Sequence, residues 1–285
     1  MKILIIGKNS YIGNNLDNWL TNHGYQVSQL DVLNENWREY DYSPFDIIIH
    51  VAGIVHRPDC HDWNLYRSVN TDMPIEIALR AKSQGVKTYV FFSTMGVYGI
   101  DKELKPNIVD QSTGTNATSM YGKSKFMAEQ GLFKLKDDNF SIVIVRPPSV
   151  YGKGCKGGYI SGFIKITKLL PIIPNAYSNV RQSFIYIDNL CECVRIIIDN
   201  QLSGIFCPQD DEIPNANDLL RAITLAIGKT YRSSNILGWL TQLLPFIPLV
   251  KKAFGGIEYS RKLSDIKGQN YVVVPFKEAI KRTVS

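Results

Sequence analysis

The sequence predicts a doubly wound α/β fold, a parallel sheet with helices on both faces, followed by a small C-terminal lobe of mixed α/β structure. Three observations predict it. Short unbroken runs of Ile, Val and Leu read as strands buried on both faces, the habit of parallel sheets. Between those runs lie segments whose apolar residues recur at helical spacing. The alternation then loosens after Gly152, where Gly and Pro accumulate (Gly154, Gly157, Gly158, Gly162, Pro171, Pro174).

The elements follow in order. Lys2–Ile6 is an apolar strand. Ile12, Leu16, Trp19 and Leu20 fall at i, i+4, i+7 and i+8, one face of a helix that Gly24 ends. Tyr25–Leu30 is the second strand, closing at Asp31, and Asp46–Val51 is a buried strand leading into Ala52-Gly53. A helix over Ile75–Ser83 precedes a strand over Thr88–Phe92; a helix from Met120 to Leu135 precedes a strand over Ser141–Val145. Phe184–Ile187 and the helix after Asp188 read as a return to the main sheet. Ile236–Val250 is apolar but broken by Pro245 and Pro248, and falls short of the ~18 residues that span a bilayer. It reads as a helix-loop of the C-terminal lobe, with a membrane-surface anchor as the alternative.

Composition narrows the function. The 285 residues hold 32 basic and 26 acidic side chains, a net charge of +6, with 45% hydrophobic and 20% charged residues. That is globular usage, which excludes a disordered or fibrous chain. The tightest basic pairs, Lys251-Lys252 and Lys281-Arg282, are too short to track a nucleic acid. The cysteines (Cys60, Cys155, Cys191, Cys193, Cys207) contain no C-x-x-C, and the histidines (His23, His50, His56, His61) show no ligand spacing, so neither a metal nor a disulfide framework is expected. The N-terminal apolar run is too short for a signal-peptide core. A cytoplasmic protein with reduced thiols and no membrane span is the expectation.

Gly7-Lys8-Asn9-Ser10-Tyr11-Ile12-Gly13 sits between the first strand and the first helix, where a tight turn lets backbone N–H groups and a helix N-terminus meet a pyrophosphate. A lone glycine loop is weak evidence; its place between a strand and an amphipathic helix is what makes the sheet Rossmann-type. Asp31 ends the next strand, where a carboxylate accepts from a ribose 2′-hydroxyl and repels a 2′-phosphate. NAD is therefore the expected cofactor, with NADP the alternative. The expected division is a dinucleotide-binding domain over 1–150 plus about 182–202, and a substrate-binding lobe over 151–181 plus 203–285.

With 15 tyrosines, a Tyr-x-x-x-Lys match or so is expected by chance, and two occur: Tyr98/Lys102 and Tyr121/Lys125. Tyr98 lies in a Val-Tyr-Gly turn, so no helix holds that pair together. Tyr121 opens a helix whose Phe126, Met127, Leu132 and Phe133 supply an apolar face, so Tyr121/Lys125 is chosen. A phenol ionises near pH ~10, but a cation ~4 Å away at an effective dielectric of ~20 contributes about 4 kcal/mol, up to about three pKa units. The pair predicts an acid–base tyrosine. Ser93-Thr94 end a strand at the carboxyl edge, and Thr94 is the expected third catalytic group.

Taken together these residues resemble the extended branch of the short-chain dehydrogenase/reductases, the NAD-dependent epimerase/dehydratase family of nucleotide-sugar enzymes. The resemblance runs in order through Gly7–Gly13, Asp31, Ile49-His50-Val51-Ala52-Gly53, Val69-Asn70-Thr71, Ser93–Gly99, Tyr121–Lys125, Arg146–Gly152 and Arg181–Leu190. It implies that Thr94, Tyr121 and Lys125 are catalytic. It implies that Gly7, Ser10, Tyr11, Ile12, Gly13, Asp31, Val51, Ala52, Gly53, Tyr121, Lys125 and Pro148 hold the cofactor. It implies that Thr94, Ser149 and Arg181 meet a nucleotide-diphosphate sugar, in a homodimer. Three departures carry information. Ser10 replaces the middle loop glycine, which would hold the backbone further from the pyrophosphate. Met95 and Gly96 stand where the family's 4,6-dehydratases carry Asp-Glu, which argues against elimination of water. Ser149 replaces the usual substrate-binding Asn. The Arg146–Gly152 segment, residues 170–174 (Leu-Pro-Ile-Ile-Pro) and Asn179-Val180-Arg181 resemble a subgroup that reduces UDP-linked 4-keto-6-deoxy-N-acetylhexosamines for surface polysaccharides. The alternatives are a UDP-hexose or UDP-N-acetylhexosamine 4-epimerase, and a non-catalytic dinucleotide-binding or redox-sensing protein.

Overall fold

The computed structural model describes residues 1–55, 61–99, 103–155, 158–169 and 172–285. His56, Cys60, Lys102, Gly157 and Pro171 lie outside the described residues. The chain runs through β1 (Lys2–Ile6), α1 (Tyr11–Asn22), β2 (Gln26–Leu30), β3 (Ile47–His50), α2 (Trp63–Arg67), α3 (Met73–Ser83) and β4 (Thr88–Phe92). It continues with β5 (Ile108–Val109), α4 (Met120–Phe133), β6 (Ser141–Val145), β7 (Ser149–Tyr151), α5 (Gly158–Leu169) and β8 (Ile173–Pro174). Next come β9 (Phe184–Tyr186), α6 (Ile187–Asp199), β10 (Gly204–Phe206), α7 (Ala216–Ala226) and β11 (Ser233–Ser234). Last are α8 (Asn235–Gln242), α9 (Pro248–Phe254), β12 (Glu258–Tyr259), α10 (Arg261–Ser264) and α11 (Phe276–Val284). Two compact units result: Met1–Gly99 with Gly114–Pro147 and Cys191–Cys207, and Ile100–Thr113 with Pro148–Leu190 and Pro208–Ser285.

The first unit is built on a six-stranded sheet in the order β2-β1-β3-β4-β6-β10, every pairing parallel. All of β3, and all but the first residue of β1, β4 and β6, are buried, as their unbroken apolar runs predict. One core packs Leu4, Ile48, Phe91 and Ile142 with Ile77 and Ala81 of α3 and Ala128 and Leu132 of α4. Each such large apolar side chain contributes about 1.5–3 kcal/mol on burial. The strand order reverses at β1, between β2 and β3. At such a switch point the connections leave on opposite faces and open a crevice beyond the carboxyl ends.

The second unit is laid out differently from the sequence reading. Phe184–Tyr186 does not rejoin the main sheet: β9 pairs in parallel with β7, Ser149 opposite Phe184 and Tyr151 opposite Tyr186. The sixth main strand is instead Gly204–Phe206 against β6. A three-residue apolar strand can fill either ladder, and polar contacts decide here. The buried Asp210 carboxylate accepts from Tyr186 N–H (3.0 Å), Asn189 Nδ2 (2.8 Å) and the Tyr151 hydroxyl (2.8 Å), tying β7, β9 and the start of α6 together. Residues 103–113 also group with this unit rather than with the first, because β5 pairs with β12 and Glu103 bridges to Gly256. Such a pairing partner far downstream leaves no local signal.

Beneath β4 and β6 the first unit buries an ion pair. Glu129 of α4 and Arg146, just past β6, are 1% and 5% exposed. The Arg146 Nε donates to Glu129 Oε1 at 3.0 Å, its Nη2 donates to Oε2, and its Nη1 donates to the Tyr98 hydroxyl at 2.9 Å. The Ser93 hydroxyl donates to the same carboxylate. Breaking one side of such a pair strands the other charge in a dry interior. Arg146→Met is expected to lose about 3–5 kcal/mol in urea unfolding; a loss within the ordinary surface range would contradict this account.

Candidate active site

Three loops leave the sheet at the switch point, and the strand register brings them together. Ile6 pairs with Leu30 on one side and with His50 on the other, so Gly7, Asp31 and Val51 leave side by side. Gly7 and Lys8 both donate N–H to the Leu30 carbonyl (3.1 and 3.2 Å); Val51 and Ala52 donate theirs to Ile6 (2.9 Å each). Gly7 has φ +122°, and a Cβ on it would stand 2.9 Å from the Ala52 nitrogen, so both torsion and space demand glycine.

Ser10 does not disturb this loop. Its torsions, φ −76° and ψ 151°, suit any L-residue, so no glycine is required there. It caps α1, its Oγ accepting from the Gly13 N–H at 3.1 Å, which leaves its own hydroxyl hydrogen to donate outward. Tyr11 and Ile12 are the first two helical residues, so their N–H groups point out of the positive end of α1. On the neighbouring strand the exposed Asp31 carboxylate accepts from Asn34 Nδ2 (2.8 Å) and Leu33 N–H (3.0 Å), which hold it below the usual carboxylate range. A carboxylate offers about four lone pairs, so acceptor capacity remains. Outward N–H groups beside a glycine turn, with a fixed carboxylate one strand away, are the donor and acceptor set that a dinucleotide's diphosphate and ribose require.

Thr94, Tyr121 and Lys125 meet at the ends of β3 and β4. Thr94 follows β4, its Oγ1 accepting from the Gly96 N–H at 3.1 Å, and its hydroxyl is hydrogen-bonded with that of Tyr121. Tyr121 is the second residue of α4, whose start is capped by the Ser119 hydroxyl accepting from Gly122 N–H at 3.0 Å. Lys125, one turn on, donates to the Phe92 carbonyl at 2.9 Å and lies 4.5 Å from the centre of the Phe91 ring. A Cβ on Gly53 would stand 3.0 Å from Lys125 Nζ and 2.9 Å from Asn70 Oδ1. Asn70, in a π-helical turn over Ser68–Asp72, accepts from Ile54 N–H (2.8 Å) and donates to Ile54 O (2.9 Å) and Ser124 Oγ (3.1 Å). It clamps the strand end carrying Gly53 onto α4. The competing pair has no such setting: Tyr98 ends a 3₁₀ turn and Lys102 lies outside the described residues.

Two expectations are corrected. The face α4 buries is more polar than expected: Leu132 is buried and Phe133 packs against the core as predicted, but Met127 is exposed, and Gly122, Ser124, Lys125, Ala128 and Glu129 are buried beside Leu132. Its polar members are satisfied by Asn70, Phe92, Arg146 and Ser93, so the helix docks through hydrogen bonds as much as through hydrocarbon. Glu129, four residues after Lys125, is the group sequence reasoning missed; its signal was an acid on the same helix face. Nor does Lys125 acidify the phenol. Burial pushes Tyr121 up to about 12, with Thr94 pulling it down and Tyr66 adding to the rise. Burial likewise brings Lys125 down to about 7, with Glu129 pulling it back up. Desolvation opposes the charged form of both.

Ser149 and Arg181 belong to the second unit, in one neighbourhood. Ser149 opens β7 opposite Phe184, and Arg181 lies three residues before Phe184. The exposed Arg181 donates from Nη1 to the Ile213 carbonyl at 3.3 Å, and its charge faces Glu258. Pro148 precedes them in the same unit. A 650 Å³ cleft between α7 and α11, lined by Arg221, Phe276 and Lys277 among others, contains none of the expected site residues. Among the described residues no group of three His, Cys, Asp or Glu side chains could hold a metal ion, and no helix is long and apolar enough to cross a membrane.

A family model described as the NAD dependent epimerase/dehydratase family matches residues 3–206. The chain belongs to this family. It is 28% identical over 189 residues to a UDP-glucose 4-epimerase of Vibrio cholerae, covering 64% of this chain and 57% of that enzyme. It is 24% identical over 253 residues to the N-acetyl-alpha-D-glucosaminyl-diphospho-ditrans,octacis-undecaprenol 4-epimerase of Escherichia coli O157:H7, covering 82% of this chain and 75% of that one. It is 26% identical over 216 residues to a UDP-2-acetamido-2,6-beta-L-arabino-hexul-4-ose reductase of Pseudomonas aeruginosa, covering 72% and 51%. The match thus spans between about half and three quarters of these relatives. The crystal structure of a dTDP-4-dehydrorhamnose reductase from Clostridium acetobutylicum superposes with a TM-score of 0.75 at 20% identity, over 100% of this chain and 98% of that one.

The depressed Lys125 has a measurable consequence. A lysine at about 7 when folded and 10.5 when unfolded favours folding most above pH 10.5, and loses that contribution as pH falls toward 7. The melting temperature of wild type relative to Lys125→Met is therefore expected to rise between pH 7 and pH 10 in calorimetry. A pH-independent difference would contradict the buried ammonium.

Proposed function

We propose that the chain is an NAD(P)-dependent reductase of a UDP-linked 4-keto-6-deoxy-N-acetylhexosamine, a precursor for surface polysaccharide. The first unit would bind the dinucleotide and the second the nucleotide sugar. The observation that carries the reading is the cluster of Thr94, Tyr121 and Lys125 beside Gly53, at the edge where the Gly7–Gly13 loop and Asp31 emerge. The outward N–H groups of Tyr11 and Ile12, with the Ser10 hydroxyl, would hold the diphosphate; Asp31 would hold the adenosine ribose and favour NAD. Bound at this edge, the nicotinamide supplies the hydride.

The chain's own groups handle the proton. Tyr121 donates its phenolic hydrogen to the substrate's O4 as C4 is reduced. A phenol kept neutral, as burial keeps this one, is the correct form for that first donation. The Thr94 hydroxyl, already hydrogen-bonded with the phenol, donates to the phenolate or the same alkoxide as charge develops. Lys125 supplies positive charge and hydrogen bonds at the Gly53 strand end. Arg181 would pair with the substrate diphosphate, where a planar guanidinium makes two parallel bonds. Met95 and Gly96 follow Thr94 without an acid or base, which speaks against water elimination.

Purified protein mixed with the 4-keto sugar and NADH should consume reduced nicotinamide, and Tyr121→Phe should lower kcat by roughly 10²–10⁴-fold. No loss of the reduced-nicotinamide absorbance with any such ketone would remove the reductase reading. Asp31→Ala should raise KM for NADH more than for NADPH, because only the 2′-phosphate gains from losing a carboxylate. The 4-epimerase activity named for two relatives supports a second reading that uses the same groups. NAD that survives purification, with product formed without added reductant, would select it.

A further inference from the structure

We propose that the α8–α9 segment of the second unit is a docking surface for an anionic phospholipid bilayer, seating the protein on the membrane surface without crossing it. The helix is held in place by backbone and polar contacts. Gly238 lies so close to the preceding ladder that a Cβ on it would stand 2.0 Å from the Asn175 carbonyl oxygen. Asn175 donates its N–H to Ser234 O at 3.0 Å and its Nδ2 to Asn235 Oδ1 at 2.8 Å. Ser234 Oγ caps α8 by accepting from the Leu237 N–H.

The apolar side chains point elsewhere. Ile236, Trp239, Leu240 and Leu243 fall at i, i+3, i+4 and i+7, the spacing of a stripe that helices ordinarily bury. Here they are 74%, 59%, 44% and 54% exposed. The chain then turns through Pro245-Phe246-Ile247, with Phe246 76% exposed, and enters α9 at Pro248 with Leu249 69% exposed. A contiguous apolar patch of this kind on a soluble chain marks an interaction site.

Charge identifies the occupant. From Leu219 to Ile257 there is no Asp or Glu, while Arg221, Lys229, Arg232, Lys251 and Lys252 are all exposed. A second copy docked on this face would bring its own Lys251 and Lys252 to a segment that offers them no carboxylate. Anionic headgroups would neutralise them instead, and the aliphatic stems of the lysines can lie along hydrocarbon while the ammonium groups stay at the surface. Exposed Trp and Phe beside Lys is the composition of a helix that lies in the plane of a membrane interface. The two prolines and the short helices fit that in-plane placement.

Sedimentation of the protein with extruded vesicles tests this, using phosphatidylcholine alone and phosphatidylcholine mixed with phosphatidylglycerol. Binding to the mixed vesicles is expected to exceed binding to the neutral ones by roughly tenfold or more and to fall as salt is raised. Trp239→Ser combined with Phe246→Ser and Leu249→Ser should abolish it. Lys251→Glu with Lys252→Glu should bring mixed-vesicle binding down to the neutral level. Both variants should keep the wild-type melting temperature, because the altered side chains are exposed. Wild-type protein that stays in the supernatant with both vesicle types would overturn the proposal. So would a dimer in sedimentation equilibrium that Phe246→Ser dissociates, since a second copy would then occupy the patch. The assay needs no turnover, so its failure would leave the reductase reading untouched.

Discussion

An ammonium group taken out of water needs hydrogen bonds and opposite charge from the chain around it, and the carboxyl edge of this sheet is arranged to supply them to Lys125. The Phe92 carbonyl accepts from it, the Phe91 ring lies under it, and Glu129 faces it from one turn along the same helix. Glu129 is itself buried and is held by Arg146 and Ser93. The ends of β4 and β6 are thereby tied to the lysine. Tyr121 and Thr94 take their places because α4 is locked at this register, and the Asn70 clamp brings the Gly53 strand end to the same point. Removing either Glu129 or Arg146 would leave an unbalanced charge in a dry interior.

The energetic consequence is a site that resists ionisation. Burial raises the phenol and lowers the ammonium, so neither group is charged cheaply. A group poised in this way responds strongly to whatever charge arrives beside it, because the low-dielectric surroundings that disfavour ions also magnify their interactions. The chain's own contribution is to hold the phenol neutral, hydrogen-bonded to Thr94.

The second unit uses its apolar residues in two opposite ways. Around Asp210 they are packed behind a carboxylate that accepts three hydrogen bonds, which joins β7, β9 and α6. Along α8 and α9 they are turned outward over a run of sequence that carries only positive charge. A single chain segment can do this because Gly238 lets backbone pack where side chains normally would.

Much of the first unit was legible in the amino-acid order. Strands over Lys2–Ile6, Thr88–Phe92 and Ser141–Val145 are unbroken apolar runs with a single way to be buried, and the glycine turn and the Tyr121-to-Lys125 spacing are local patterns that need no distant partner. The family resemblance was likewise carried by short motifs in order. What the sequence could not show depends on contacts between distant residues. The pairing of Phe184–Tyr186 with β7, the transfer of residues 103–113 to the second unit, and the pairing of Glu129 with Arg146 all rest on partners that no periodicity encodes. The same limit explains α8: a stripe at helical spacing specifies that a face is apolar, while only the packing of Gly238 against Asn175 decides that this face looks out to solvent. Sequence determined the elements and the chemistry they carry; tertiary structure decided which groups are desolvated and beside whom, because desolvation and pairing belong to the folded environment and to no residue alone.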